Sequence, residues 1–172
     1  MLPETAIVRP GMPFFMPDWA DGWKLKAHVG VVIERLGKAI HKKFTGRYWS
    51  KSMLVLKAEP IGGLDGMVIP EGFDGSLLIS SPVAIPSVLT TLEETLPREG
   101  RASEILSTND SKFEITAEAI AAAISVSSLF FTLHTGDIVL MPLKNVPTVE
   151  AQYNTRVKIS CEGEVILNHK IK

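Results

Sequence analysis

PFFMPDWADGWKLKAHVGVVIERLGKAI, residues 13–40, is the stretch on which the fold turns. Its centre, VGVVI at 29–33, is a continuous apolar run rich in β-branched residues that stops at Glu34-Arg35. Such a run marks a strand buried on both faces. Upstream, Phe14, Phe15, Trp19 and Trp23 gather at the entry to that strand. An aromatic group there is better explained by packing behind Pro13 than by a platform for a ligand.

Working outward, residues 53–56 and 76–79 have the same strand character. Near the end of the chain, RVKISC and VILNHKI alternate at period two on either side of Glu162-Gly163-Glu164, which predicts a hairpin. One helix is expected over 117–127, AEAIAAAISVS, with Thr116 as its N-cap and Glu118 in the first turn, where a carboxylate suits the helix dipole. A second helical turn is expected at 40–48, weakened by Thr45 and Gly46. Eleven prolines and thirteen glycines are spread between short apolar runs, which favours many strands joined by turns. The fold class expected is α+β, mostly β.

With 172 residues the chain has the size of one domain, and a single domain over 1–172 is expected. Eighteen basic residues against nineteen acidic ones give no overall field that would call for nucleic acid or a membrane as partner. A lone cysteine, Cys161, excludes an internal disulfide and a cysteine-rich zinc site, and its alternating surroundings predict a strand thiol. The first residues lack an apolar signal segment, and no run approaches the length of a membrane span, so a cytoplasmic protein is expected. P-loop, G-x-S-x-G, H-E-x-x-H and G-x-G-x-x-G patterns are all absent from the sequence.

Five segments in order, the opening one included, resemble the catalytic domain of the fumarylacetoacetate hydrolase family, especially its short bacterial kind. Arg47-Tyr48-Trp49 with Leu54-Val55-Leu56-Lys57 is similar to that family's RYY…LGID. Glu71-Gly72-Phe73-Asp74-Gly75-Ser76 is similar to KGFDGS, residues 107–113 to NTSD--F, and SLFFTLHTGDIVL at 128–140 to SRFFTLKTGDLLF. The resemblance implies a β-roll of twisted mixed sheets with a few short helices, like the C-terminal domain of that family, and a homodimer, to which an apolar content of 45% adds support.

In the family a divalent cation is held by three carboxylates, because a hard cation needs oxygen ligands whose charge offsets its dehydration. Lys26, His28 and Lys57 stand at those three positions here, and Glu71 stands at the family's lysine. Like charges about 4 Å apart repel by roughly 4 kcal/mol at an effective dielectric near 20, so a dication is not expected among them. No cofactor is expected. The family's acid/base histidine lies upstream of the first residues of this chain. Asp74, which matches the aspartate of GFDG, precedes a glycine, and a turn-stabilising carboxylate is its simplest role. Taken singly, Lys26, Lys57 and Glu71 are equally well explained as solvated residues, and His28 is better explained as a satisfied core or rim histidine than as a ligand.

The function expected is that of a degenerate family member without metal-dependent catalysis, serving as a structural or binding protein, with the former site open to a small carboxylate or other anion. Two alternatives stay open. One is a divergent hydrolase, isomerase or decarboxylase of small oxo-carboxylates that uses Lys26 or Lys57 in place of the metal. The other is a regulatory dimer partner of an active paralogue. An exchanged ion pair, Glu71 with Lys26 or Lys57, is expected to neutralise the emptied site.

Overall fold

The computed structural model describes residues 4–63, 72–82, 87–96, 104–143, 148–161 and 164–172, with backbone alone at 87–96, 104–114 and 161. Among the described residues ten strands and one α-helix follow in chain order: β1 (Ile7–Val8), β2 (Gly22–Ile33), β3 (Trp49–Ile61), β4 (Leu77–Ile79), β5 (Ser87–Leu96), β6 (Glu104–Glu114), α1 (Ala117–Phe130), β7 (Ile138–Pro142), β8 (Val149–Glu150), β9 (Arg156–Cys161) and β10 (Glu164–Lys170). One sheet runs β1-β4-β3-β2-β7, with β8 also on β2; the other runs β10-β9-β5-β6. The β1–β4 pair is parallel and the remaining pairs are antiparallel, so the first sheet is mixed. This is the mostly-β architecture expected.

The decisive stretch forms β2, whose twelve residues extend well beyond the apolar run. Its alternation explains how: Trp23, Leu25, Val29, Val31 and Ile33 are all at most 1% exposed and point to one core. That core is shared with Val157, Ile159 and Leu167 of the second sheet and with Ile120 and Ile124 of α1. On the reverse face of the first sheet Met53, Val55 and Leu77 form a smaller apolar cluster with Ala6. Gly30 lies there, and a Cβ added to it would come within 2.8 Å of the Ile138 side chain and 3.1 Å of that of Val55. Only a glycine lets β7 and β3 close over β2 at that point.

The aromatic entry divides. Phe14 and Trp23 are core residues in edge-to-face contact with centroids 6.3 Å apart, and Trp23 Nε1 donates to the Pro17 carbonyl at 3.1 Å, whereas Phe15 is 63% exposed. Phe14 is also fixed by backbone bonds to Lys170 and Lys172, which tie the entry to the end of the chain.

Thr116 caps α1 as expected, its Oγ1 accepting from Ala119 N at 3.1 Å. The helix runs to Phe130, three residues past the expected end. Serines there do not stop it because their hydroxyls serve the neighbouring loop: Ser125 Oγ donates to the Ile40 carbonyl and Ser128 Oγ accepts from Ile40 N, both at 2.8 Å. The turn expected at 40–48 is a 3-10 helix over Lys42–Arg47. The predicted hairpin is β9–β10, with residues 162–163 of its turn outside the described residues. Sequence reading overlooked β5, whose SVLTTLEETL lacks an apolar period of two and gains its order from pairing with both β6 and β9.

His169, fully buried on β10, places Nδ1 2.8 Å from the Met12 carbonyl and Nε2 3.1 Å from the Ile79 carbonyl. It therefore links the second sheet to β4 of the first and to the loop before β2. A buried polar ring between two carbonyls is a structural joint.

Candidate functional site

Even-numbered residues of β2 face away from the main core, and so do the odd-numbered residues of β3 that pair with them. Register puts Lys26 opposite Lys57, His28 opposite Val55 and Lys24 opposite Glu59. The result is a charged half-face beside the apolar cluster of Met53, Val55 and Leu77. Two lysines directly opposed across strands are unfavourable unless something neutralises them. Glu59, diagonal to Lys26 and two residues along from Lys57, does so. Its Oε2 is in direct contact with Lys26 Nζ, and its Oε1 lies 3.9 Å from Lys57 Nζ.

The three groups differ in solvent access, with side-chain exposures of 45% for Lys26, 31% for Glu59 and 16% for Lys57. The least accessible charge is thus Lys57, flanked across β4 by Leu77. Glu59 was missed from the sequence. The available signal was Lys57-Ala58-Glu59, in which period two puts both charges on one face.

His28 is half-buried and completes the group. Its Nδ1 lies 3.0 Å from the Lys26 carbonyl. A carbonyl only accepts, so Nδ1 carries the proton and Nε2 keeps its lone pair. Burial is the main influence that holds the imidazole below the ordinary histidine value; the bond to the Lys26 carbonyl opposes it, Lys57 adds to it, and of the smaller influences Glu59 raises it and Lys26 lowers it. His28 is a neutral base seated among ammonium groups.

Lys26, His28 and Lys57 lie together on this half-face. Asp74 stands exposed in the turn before β4, where Gly75 takes a left-handed φ of 78° and Ser76 N bonds the Phe73 carbonyl at 3.0 Å. Asp74 thus sits in a turn closed by a backbone bond. Glu71 lies outside the described residues, so its expected pairing with either lysine is not tested; Glu59 holds both. Asp137 serves a turn too, its Oδ2 accepting from His134 N at 2.7 Å. Among the described residues no three His, Cys, Asp or Glu side chains converge in a way that would hold a metal ion.

No family model and no curated protein matches the sequence. Solved structures do match. A protein from Yersinia pestis assigned to the fumarylacetoacetate hydrolase family superposes with a TM-score of 0.70 at 24% identity, over 99% of this chain and 83% of that one. The fumarylpyruvate hydrolase of Pseudomonas aeruginosa, solved with Mn2+ and pyruvate, gives 0.69 at 17% over 98% and 76%. The 5-carboxymethyl-2-hydroxymuconate delta-isomerase of Mycobacterium smegmatis gives 0.73 at 17%, over 98% of this chain and 66% of that one. The chain has the fold of fumarylacetoacetate hydrolase-family proteins.

Proposed function

We propose that this chain is a degenerate fumarylacetoacetate hydrolase-family protein that has exchanged metal-dependent catalysis for a structural or binding role. The observation that carries this reading is the Lys26–Glu59–Lys57 group, formed at two of the three positions where the resemblance puts metal ligands. A divalent cation does not fit the described half-face. It would meet two ammonium groups, and Glu59, the carboxylate in reach among the described residues, is already engaged by both. The Mn2+ and pyruvate of the Pseudomonas aeruginosa hydrolase belong to that protein, and no step here is routed through a metal.

The ammonium groups of Lys26 and Lys57 on the half-face suit a small carboxylate as ligand. The inherited partner is a second copy, as a homodimer; a monomer mass in light scattering would remove that part. The reading as a whole is tested by incubating the protein with fumarylpyruvate and maleylpyruvate in the presence of Mg2+ or Mn2+. Background turnover is expected, and turnover that survives repurification and disappears in Lys57→Ala would overturn it.

One observation favours a second reading. His28 is held neutral and half-buried beside Lys57, which suits a general base in an oxo-acid isomerase or decarboxylase. That enzyme would work without added metal and lose its activity in His28→Gln.

A further inference from the structure

The near-neutral composition conceals a polarised molecule. Residues 34–51 hold six basic residues and one acidic residue, a net charge of +5 in a chain whose total is −1, so the other 154 residues carry −6. This segment leaves β2, passes along α1 and returns as β3. Lys38 Nζ donates to the Leu129 carbonyl at 3.2 Å near the end of the helix, and Lys42 Nζ pairs with Glu118 at 2.8 Å near its start. The basic segment thus lies along the whole length of α1.

Apolar side chains stand exposed on the same surface. Leu36 is 66% exposed, Leu129 60%, Phe130 73% and Phe44 40%; the Phe44 ring has the His41 ring edge-on at 6.2 Å, the Lys43 ammonium at 4.8 Å and the Arg47 guanidinium at 5.0 Å from its centre. Among its described acids, Glu118 is paired with Lys42 and Glu34 accepts from Ser50 Oγ. Leu129 and Phe130 project from the end of the helix, Phe44 from the short 3-10 turn and Leu36 from the loop after β2.

From this arrangement we propose that the α1 edge is a peripheral docking surface for an anionic phospholipid headgroup layer. Phe44, Leu129 and Phe130 would enter the boundary between headgroups and acyl chains while Lys38, Lys43 and Arg47 meet the phosphates. A second copy of the chain is disfavoured here, since it would bring two strongly positive faces together. A protein partner fits less well, because protein interfaces are depleted in lysine at their centres, and this surface carries lysines between its apolar residues. No described helix is long and apolar enough to cross a membrane, and surface docking requires none. This inference is independent of the half-face on β2 and β3.

The test is co-sedimentation of the full chain with phosphatidylcholine vesicles with and without about 30% phosphatidylserine, at low and at physiological salt. Binding is expected to the anionic vesicles alone, to fall with salt, and to weaken about tenfold or more in Lys43→Glu/Arg47→Glu, since each cation near the surface contributes about a factor of five. Phe130→Ser should weaken it while leaving the melting temperature unchanged. No sedimentation, equal binding to neutral vesicles, equally strong capture by a single-stranded oligonucleotide, or a homodimer that buries Phe130 would each overturn the proposal.

Discussion

Lys26 and Lys57 face one another as register partners across β2 and β3, and both turn their ammonium groups to the carboxylate of Glu59. The sheet tolerates a like-charge pair because a third residue, set by the same register, supplies the opposite charge. Removal of that carboxylate leaves the two cations facing each other.

Glu59→Gln is accordingly expected to destabilise the protein by about 1 kcal/mol at low salt, a modest figure because all three groups keep some contact with solvent. The loss should shrink as salt rises and screens the exposed lysines. Denaturant titrations of wild type and variant at two ionic strengths check this; identical midpoints at low salt would show the pairing to be inert.

His28 predicts a pH dependence. Its folded-state value lies below the ordinary 6.5, mainly through burial, so the unfolded chain binds the proton more readily. Its contribution to stability is present above the unfolded value and is lost as pH falls from about 6.5 through the lowered folded value. His28→Phe should flatten that acid limb of the stability profile. A slope between pH 7 and pH 5 that is unaltered in the variant would contradict the assignment.

His169→Leu fills the site with an apolar side chain but removes the ring nitrogens that face the Met12 and Ile79 carbonyls. A cost of about 2 kcal/mol is expected in equilibrium unfolding, with no change in metal or ligand behaviour. A variant as stable as wild type would mean that the joint between the sheets lies elsewhere.

How much was legible in the sequence follows from what each residue depends on. β2 and β3 were visible because their apolar runs are local, and α1 because alanine content and a Thr116 cap are local signals. Lys26, His28 and Lys57 were placed together by resemblance, which carries tertiary information that spacing lacks. Glu59 was missed because its role comes from a diagonal across two strands, visible only once Lys24 is known to face it. The positive edge along α1 was hidden for a related reason: a total charge averages over faces that the fold separates. β5 escaped because a polar strand secured by neighbours on both sides has no pattern of its own.

The central claim, that an ion-paired group stands where a metal centre would be, is tested most directly by titrating Mn2+ into the protein and following the free-ion signal by electron paramagnetic resonance. The signal is predicted to match that of buffer at every protein concentration, in wild type and in Glu59→Gln alike. Stoichiometric loss of the signal at micromolar Mn2+, abolished by His28→Ala, would contradict the account.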